Sequence, residues 1–118
     1  MQNTEFISAV RQHVRTRAIS STVQIISDPP GRAPKRDLVE LSQWYKALDE
    51  HGKTMVRQLI ERSVDISLFS ILTVLDGISE IEDVDEQGSF KLYYVRGAEE
   101  ILLNDPDETY LHDLYNAQ

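Results

Sequence analysis

The chain has 118 residues, 41% hydrophobic and 27% charged, with a formal net charge of −8 and no cysteine. That length is enough for one domain with its own core, and the missing cysteines exclude a disulfide framework, a thiolate metal site and a cysteine nucleophile. The acidity argues against wholesale binding of nucleic acid or an anionic membrane, because phosphates repel such a surface.

A single domain over residues 1–118 is expected, with no repeat, low-complexity segment or linker to divide it. The opening Met1–Glu5 has no basic stretch leading into an apolar one, so no secretory signal is expected and the cytoplasm is the expected location. A first helix starts at Asn3 or Thr4, either of which can act as N-cap, with Glu5 in the first turn. Phe6, Ile7, Val10 and Val14 recur at helical spacing. The β-branched run Ile19–Ile26 suits either strand or continuing helix. The four-residue period of Val14, Ala18, Thr22 and Ile26 favours helix.

Asp28–Pro34, with three prolines and Gly31, is loop. A second helix is expected to open on a capping box of Asp37 and Glu40. Leu38, Leu41, Trp44, Tyr45 and Leu48 would form its packing stripe, and His51–Gly52 its end, with Gly52 as left-handed cap. A third helical stretch follows from Lys53 to Leu75, with a break near Ser63–Asp65 as an alternative. From Ile66 onward it is apolar on nearly every side, which predicts the most buried element of the fold. The run Ile66–Leu75 is too short to span a bilayer.

The pattern then changes period. Phe90–Val95 reads as a strand with Phe90, Leu92 and Tyr94 on one face. Gly97-Ala98 supplies a two-residue type II′ turn, which would set Arg96 opposite Glu99 and make Glu100–Leu103 the return strand. Ile78–Val84 is either a third strand or an acidic loop. Asp105-Pro106-Asp107-Glu108 resembles a helix start, with Tyr110, Leu111, Leu114 and Tyr115 as the packing face of a short terminal helix. The fold class expected is α+β: N-terminal helices packed on a small antiparallel hairpin or sheet, with a short C-terminal helix.

Candidate chemistry is thin. Asp83-Val84-Asp85-Glu86-Gln87-Gly88 matches the opening of an EF-hand calcium loop, but position twelve, where a bidentate carboxylate is needed, is Tyr94. An acidic turn entering the hairpin is the simpler account. Glu108 and His112, four apart, would share a helix face, yet nothing marks further metal ligands. His13 between Arg11 and Arg15 reads as an ordinary helix residue, and His51 as a cation at a helix C-terminus. No Gly-x-Ser-x-Gly elbow and no glycine-rich phosphate loop is present. No enzyme activity, cofactor or metal is therefore expected.

Charge distribution says more. Residues 1–59 carry nine Lys/Arg and six Asp/Glu, a net of +3, whereas residues 60–118 carry three and fourteen, a net of −11. The basic cluster Arg32–Arg36 balances part of this. Such a field attracts a basic protein and speeds encounter with it. The expected partner-binding residues are Glu80, Glu82, Asp83, Asp85, Glu86, Glu99, Glu100, Asp107 and Glu108, with Tyr93, Tyr94 and Tyr110 near them as aromatic anchors. The alternative is a self-associating structural or regulatory homodimer, joined through Phe6, Val10, Val14, Trp44 and Leu48.

The pair Asp76-Gly77 after an apolar helix, followed by Leu111-His112-Asp113-Leu114-Tyr115 near the end, resembles small bacterial proteins of unknown function. Some of these serve as immunity proteins against toxins. The resemblance covers the order of features over residues 38–115. It implies an acidic protein that neutralises a toxin by sitting on its active surface.

Overall fold

A computed structural model describes residues 1–118. The elements in order are α1 (Asn3–Ala9), a π-helical turn (Val10–Arg15), α2 (Thr16–Ser27), α3 (Arg36–Lys46), α4 (Glu50–Leu75), β1 (Tyr93–Arg96), β2 (Glu99–Leu102) and α5 (Leu111–Asn116). This is the expected α+β class, with the helices preceding a two-stranded antiparallel hairpin and a short last helix. Packing divides the chain into two compact units, one of Met1–Val14 with Ile66–Gln118 and the other of Arg15–Asp65.

The core of the first unit is Ile7, Leu72, Leu111 and Tyr115, with Phe6, Val10, Leu68, Phe69, Leu75, Leu92 and Leu114 packed around it. Helix α1 begins one residue earlier than the capping pattern suggests. Gln2 is the N-cap, and its N–H donates to Glu5 Oε1 at 3.4 Å. The π-turn at Val10–Arg15 has no sequence signal, because i→i+5 bonding leaves the apolar spacing helix-like. Its residue Arg11 donates twice to the Tyr115 carbonyl, at 3.0 and 2.7 Å. The same guanidinium sits 4.1 Å from the Tyr115 ring centroid.

In the hairpin the pairs are Tyr93 with Leu102, Tyr94 with Ile101, Val95 with Glu100 and Arg96 with Glu99. Gly97 has φ +59°, which the first central position of a II′ turn requires, and Ala98 has no positive φ. The strand expected over Phe90–Val95 is thus shifted toward the turn. Leu92 and Tyr94 are half-buried on its inner face, but Phe90 lies outside the strand and is half exposed. Ile78–Val84 forms loop, the second of the two alternatives.

In the second unit α2 packs on α3. Ile19 and Ile26 are buried from α2, Ser42 and Tyr45 from α3. The β-branched stretch 19–26 is helical, as its period of four indicates. Other boundaries differ. Lys35 caps α3, so Asp37 already lies in the first turn, and Glu40 pairs with Arg36 at 3.1 Å rather than closing a capping box. The stripe is narrower than its sequence spacing, because Leu41 and Trp44 are exposed while Tyr45 is buried.

Helix α3 ends at Lys46, and Gly52 does not cap it. Asp49 instead accepts the Gly52 N–H at 2.7 Å and so caps the start of α4. His51 therefore sits in a first helical turn, not at a C-terminus. Helix α4 runs unbroken through Ser63–Asp65. It is not the most buried element, since only Leu72 and Thr73 are buried and Ile66 and Ile71 face solvent. The unit's two end residues are tied together, Arg15 forking onto Asp65 at 2.7 and 3.1 Å. No helix is long and apolar enough to cross a membrane.

Candidate functional site

Three constellations lie in the Met1–Val14 and Ile66–Gln118 unit. The first is a buried polar node at the C-terminus of α4. Asp76 is the last residue before Gly77, which takes φ +76°. The Ile78 N–H returns to the Thr73 carbonyl at 3.0 Å and the Gly77 N–H to Val74 at 3.0 Å, so the helix closes in a Schellman turn. That turn aims the Asp76 side chain, 1% exposed, at the start of α5. Its carboxylate accepts the Leu111 N–H at 3.1 Å and the His112 N–H at 2.9 Å, and lies 2.7 Å from His112 Nδ1. A residue 35 positions away thus supplies the cap. The expected start at Asp105–Glu108 is a turn instead, with Asp105 Oδ1 accepting the Asp107 N–H at 3.0 Å.

Around the node, the His112 ring stacks on Tyr110 and meets the edge of Phe69, each at 5.5 Å. Asn104 completes the tie. Its Oδ1 accepts the Leu92 N–H at 2.8 Å, and its Nδ2 donates to the Leu75 and Phe90 carbonyls at 2.6 and 2.9 Å. An imidazole oriented by a carboxylate is two-thirds of a nucleophilic triad. Here Nε2 lies 3.5 Å from Asp113 Oδ1 and is hydrogen-bonded to no hydroxyl. The node's chemistry is that of a helix cap and a clamp between α4, the hairpin and α5. Glu108 precedes α5 and does not share a helix face with His112. No group of three His, Asp or Glu side chains is gathered to hold a metal.

The second constellation is the acidic surface. Glu80, Glu82, Asp83, Asp85 and Glu86 occupy the loop after α4, and every one is exposed. The loop is closed on itself. Gln87 Nε2 donates to the carbonyls of Glu82 and Val84, and the Gly88 N–H donates to Glu82 Oε1 at 2.9 Å. Asp83 and Asp85 therefore stand on a turn organised by the Gln87 side chain. Glu99 and Glu100 are exposed on β2, and Asp107 and Glu108 on the turn before α5. Only Glu99 among these nine carboxylates has an ion pair, with the Met1 ammonium at 3.2 Å. By unit, the segregation is sharper than by chain half. Three Lys/Arg stand against thirteen Asp/Glu in the first unit, a net of −10, and nine against seven in Arg15–Asp65, a net of +2.

The third constellation is not visible in sequence. A groove of about 390 Å³ runs between the first helical segment and the hairpin, lined by Phe6, Val10 and Val14 on one side and by Leu92, Tyr93 and Tyr94 on the other. Its walls are mostly apolar, with His13 among the lining residues. The π-turn supplies Val10, His13 and Val14, so the widened turn and the groove coincide. Of the three tyrosines expected as anchors, Tyr93 and Tyr94 meet here, and Tyr110 is committed to His112. No family model, curated protein or solved structure matches the chain.

Proposed function

We propose that the chain is a protein-binding module of the inhibitor or immunity type, which docks a basic protein through the acidic surface of its Met1–Val14 and Ile66–Gln118 unit. The observation that carries this is the net charge of −10 on that unit, with the five loop carboxylates exposed and without ion pairs. Like charges crowded on a surface cost stability through mutual repulsion, and a cationic partner relieves that cost on binding. Carboxylates would steer association and Tyr93 would anchor it. The proposal carries with it a cytoplasmic site of action, and assigns the chain no catalytic role.

The test is capture of interacting proteins on the immobilised chain at low and high salt. The comparison is the Glu82→Gln, Asp83→Asn, Asp85→Asn, Glu86→Gln variant, in which the side-chain carbonyl at position 82 can still accept the Gly88 N–H. One basic protein retained by the native chain, and lost both at about 1 M salt, where the Debye length falls to about 3 Å, and with the variant, is the expected result. A protein retained equally by both forms at both salts refutes it.

A second reading is self-association through Arg15–Asp65. It is favoured by Trp44 at 54% and Leu59 at 64% exposure, with Leu41 and Met55 exposed as well. Of the residues first expected to line such an interface, Phe6 and Val10 are packed against the core and Leu48 is half-buried, while Val14 and Trp44 face solvent. A mass that rises with concentration, and stays monomeric in Trp44→Ala, distinguishes it.

A further inference from the structure

The hairpin leaves one specific set of backbone groups without partners. A two-residue turn makes Arg96 and Glu99 a hydrogen-bonded pair, and pairs alternate from there. Tyr94 with Ile101 is bonded, and Leu103 N–H to the Leu92 carbonyl at 2.8 Å continues the alternation. Tyr93 with Leu102 and Val95 with Glu100 are then the non-bonded pairs, so the N–H and C=O of Tyr93 and Val95 point away from β2. The sheet has only two strands, and no other backbone hydrogen bond reaches these residues.

Open strand edges are normally blunted by proline, bulges or inward charges. Leu92–Val95 has none of these, and its charges, Lys91 and Arg96, sit only at the two ends. Tyr93 is 45% and Val95 63% exposed. Beside this edge lies the apolar groove, whose strand-side wall is Leu92, Tyr93 and Tyr94. Glu100 shares Val95's face of the hairpin, and the surrounding unit has a net charge of −10.

We infer that the basic partner is engaged as an extended segment added as a third strand to the free edge of β1, its alternate apolar side chains entering the groove and its basic ones facing outward. This rests on the protein-binding proposal above and specifies how that binding is made. Strand addition draws affinity from main-chain hydrogen bonds and specificity from alternate side chains. An edge with a flanking apolar groove on one face and carboxylates around it selects an alternating apolar–basic sequence. A neutral or acidic strand meets the same edge without the long-range attraction.

The probe is a blocked peptide of about ten residues alternating Lys and Val, compared with a Lys/Ser peptide of equal charge. Both are titrated into the full chain at low and high salt, with amide and methyl shifts followed. The expected result is shifts at Tyr93–Val95, Val10 and Val14, with Lys/Val binding about tenfold or more tighter than Lys/Ser. Val95→Pro removes an outward N–H while leaving the β1–β2 ladder intact, and is expected to weaken Lys/Val binding by about tenfold. Should that variant fold poorly, two N-methylated Lys/Val peptides serve instead, one methylated at every Val and one at every Lys. Only one of these sets of N–H groups faces β1, so one peptide must lose binding and the other keep it.

If both N-methylated peptides bind alike, or if Lys/Ser binds as well as Lys/Val with shifts confined to Glu80–Glu86, strand addition is overturned while acidic docking stands. If neither peptide binds at low salt, acidic docking itself fails. A dimer of the free chain that Val95→Pro abolishes would make a second copy the occupant, and overturns the basic segment.

Discussion

Replacing Asp76 with alanine removes the only cap of α5 and leaves three donors without their acceptor: the N–H groups of Leu111 and His112 and the His112 ring nitrogen. Water cannot readily substitute, because the carboxylate is 1% and the imidazole 13% exposed. At about 1–1.5 kcal/mol for each donor stranded in a part-buried site, the loss comes to roughly 3–5 kcal/mol. A domain of this size has about 5–15 kcal/mol in total, so the variant should be visibly less stable but still able to fold. With about 4 °C per kcal/mol, the melting temperature should fall by roughly 12–20 °C.

Asp76→Asn should land between, since its carbonyl keeps one N–H while its NH2 confronts another donor. Thermal and urea unfolding followed by far-UV circular dichroism give the magnitude, and hydrogen exchange at Leu111–Tyr115 locates it. Trp44 lies in Arg15–Asp65, so its fluorescence separates a local loss from one that spreads. Asp113→Asn is the control, because that side chain is 61% exposed and lies 3.5 Å from His112 Nε2. A drop of under about 3 °C for Asp76→Ala, or an equal drop for Asp113→Asn, would refute the capping role.

Three further outcomes are expected. Asn104→Ala strands one N–H and two carbonyls at the hairpin's base and should cost about 2–4 kcal/mol in urea unfolding, with Asn104→Asp no better because a carboxylate would face two carbonyls. The Arg15–Asp65 pair is partly exposed, 28% and 37%, so a double-mutant cycle with Arg15→Ala and Asp65→Ala should give a coupling of only about 0.5–1 kcal/mol. Gly97→Ala forces a Cβ into φ +59° and should destabilise the hairpin by about 1–2 kcal/mol, seen as faster exchange at Tyr94 and Ile101.

What can be read from sequence is what local chemistry decides. Gly97-Ala98 between two apolar runs sets the turn and the Arg96–Glu99 register, because a two-residue loop admits few geometries. The four-residue period keeps 19–26 helical despite its β-branched content. The boundary at 46–50 misleads because glycine near a helix end serves a left-handed cap, yet Asp49 three residues before Gly52 is itself an N-cap signal. The start of α5 cannot be found locally at all. Asp105-Pro106 has the right residue types, but the acceptor that caps the helix sits at Asp76, and no window of sequence contains both. The apolar stretch after Ile66 misleads for a different reason: composition shows what a helix offers for burial, not what is available to cover it. The groove belongs to the same class, since Val10 and Val14 meet Tyr93 and Tyr94 only through tertiary packing.

Because the residue that ends α4 also caps α5 with its side chain, the chain from Gly77 to Tyr110 departs from and returns to one point. Within it the exposed stretch 80–88 is nearly free to vary in length, as each doubling of a flexible loop costs only about 0.6 kcal/mol. Ile7, Leu72, Leu111 and Tyr115 would not register an insertion among residues 80–88. The fold is thus arranged as a fixed frame carrying an exchangeable insert, and the insert holds five of the thirteen acids of its unit. A lineage under pressure to recognise new partners could rewrite that insert repeatedly without rebuilding the frame that holds it.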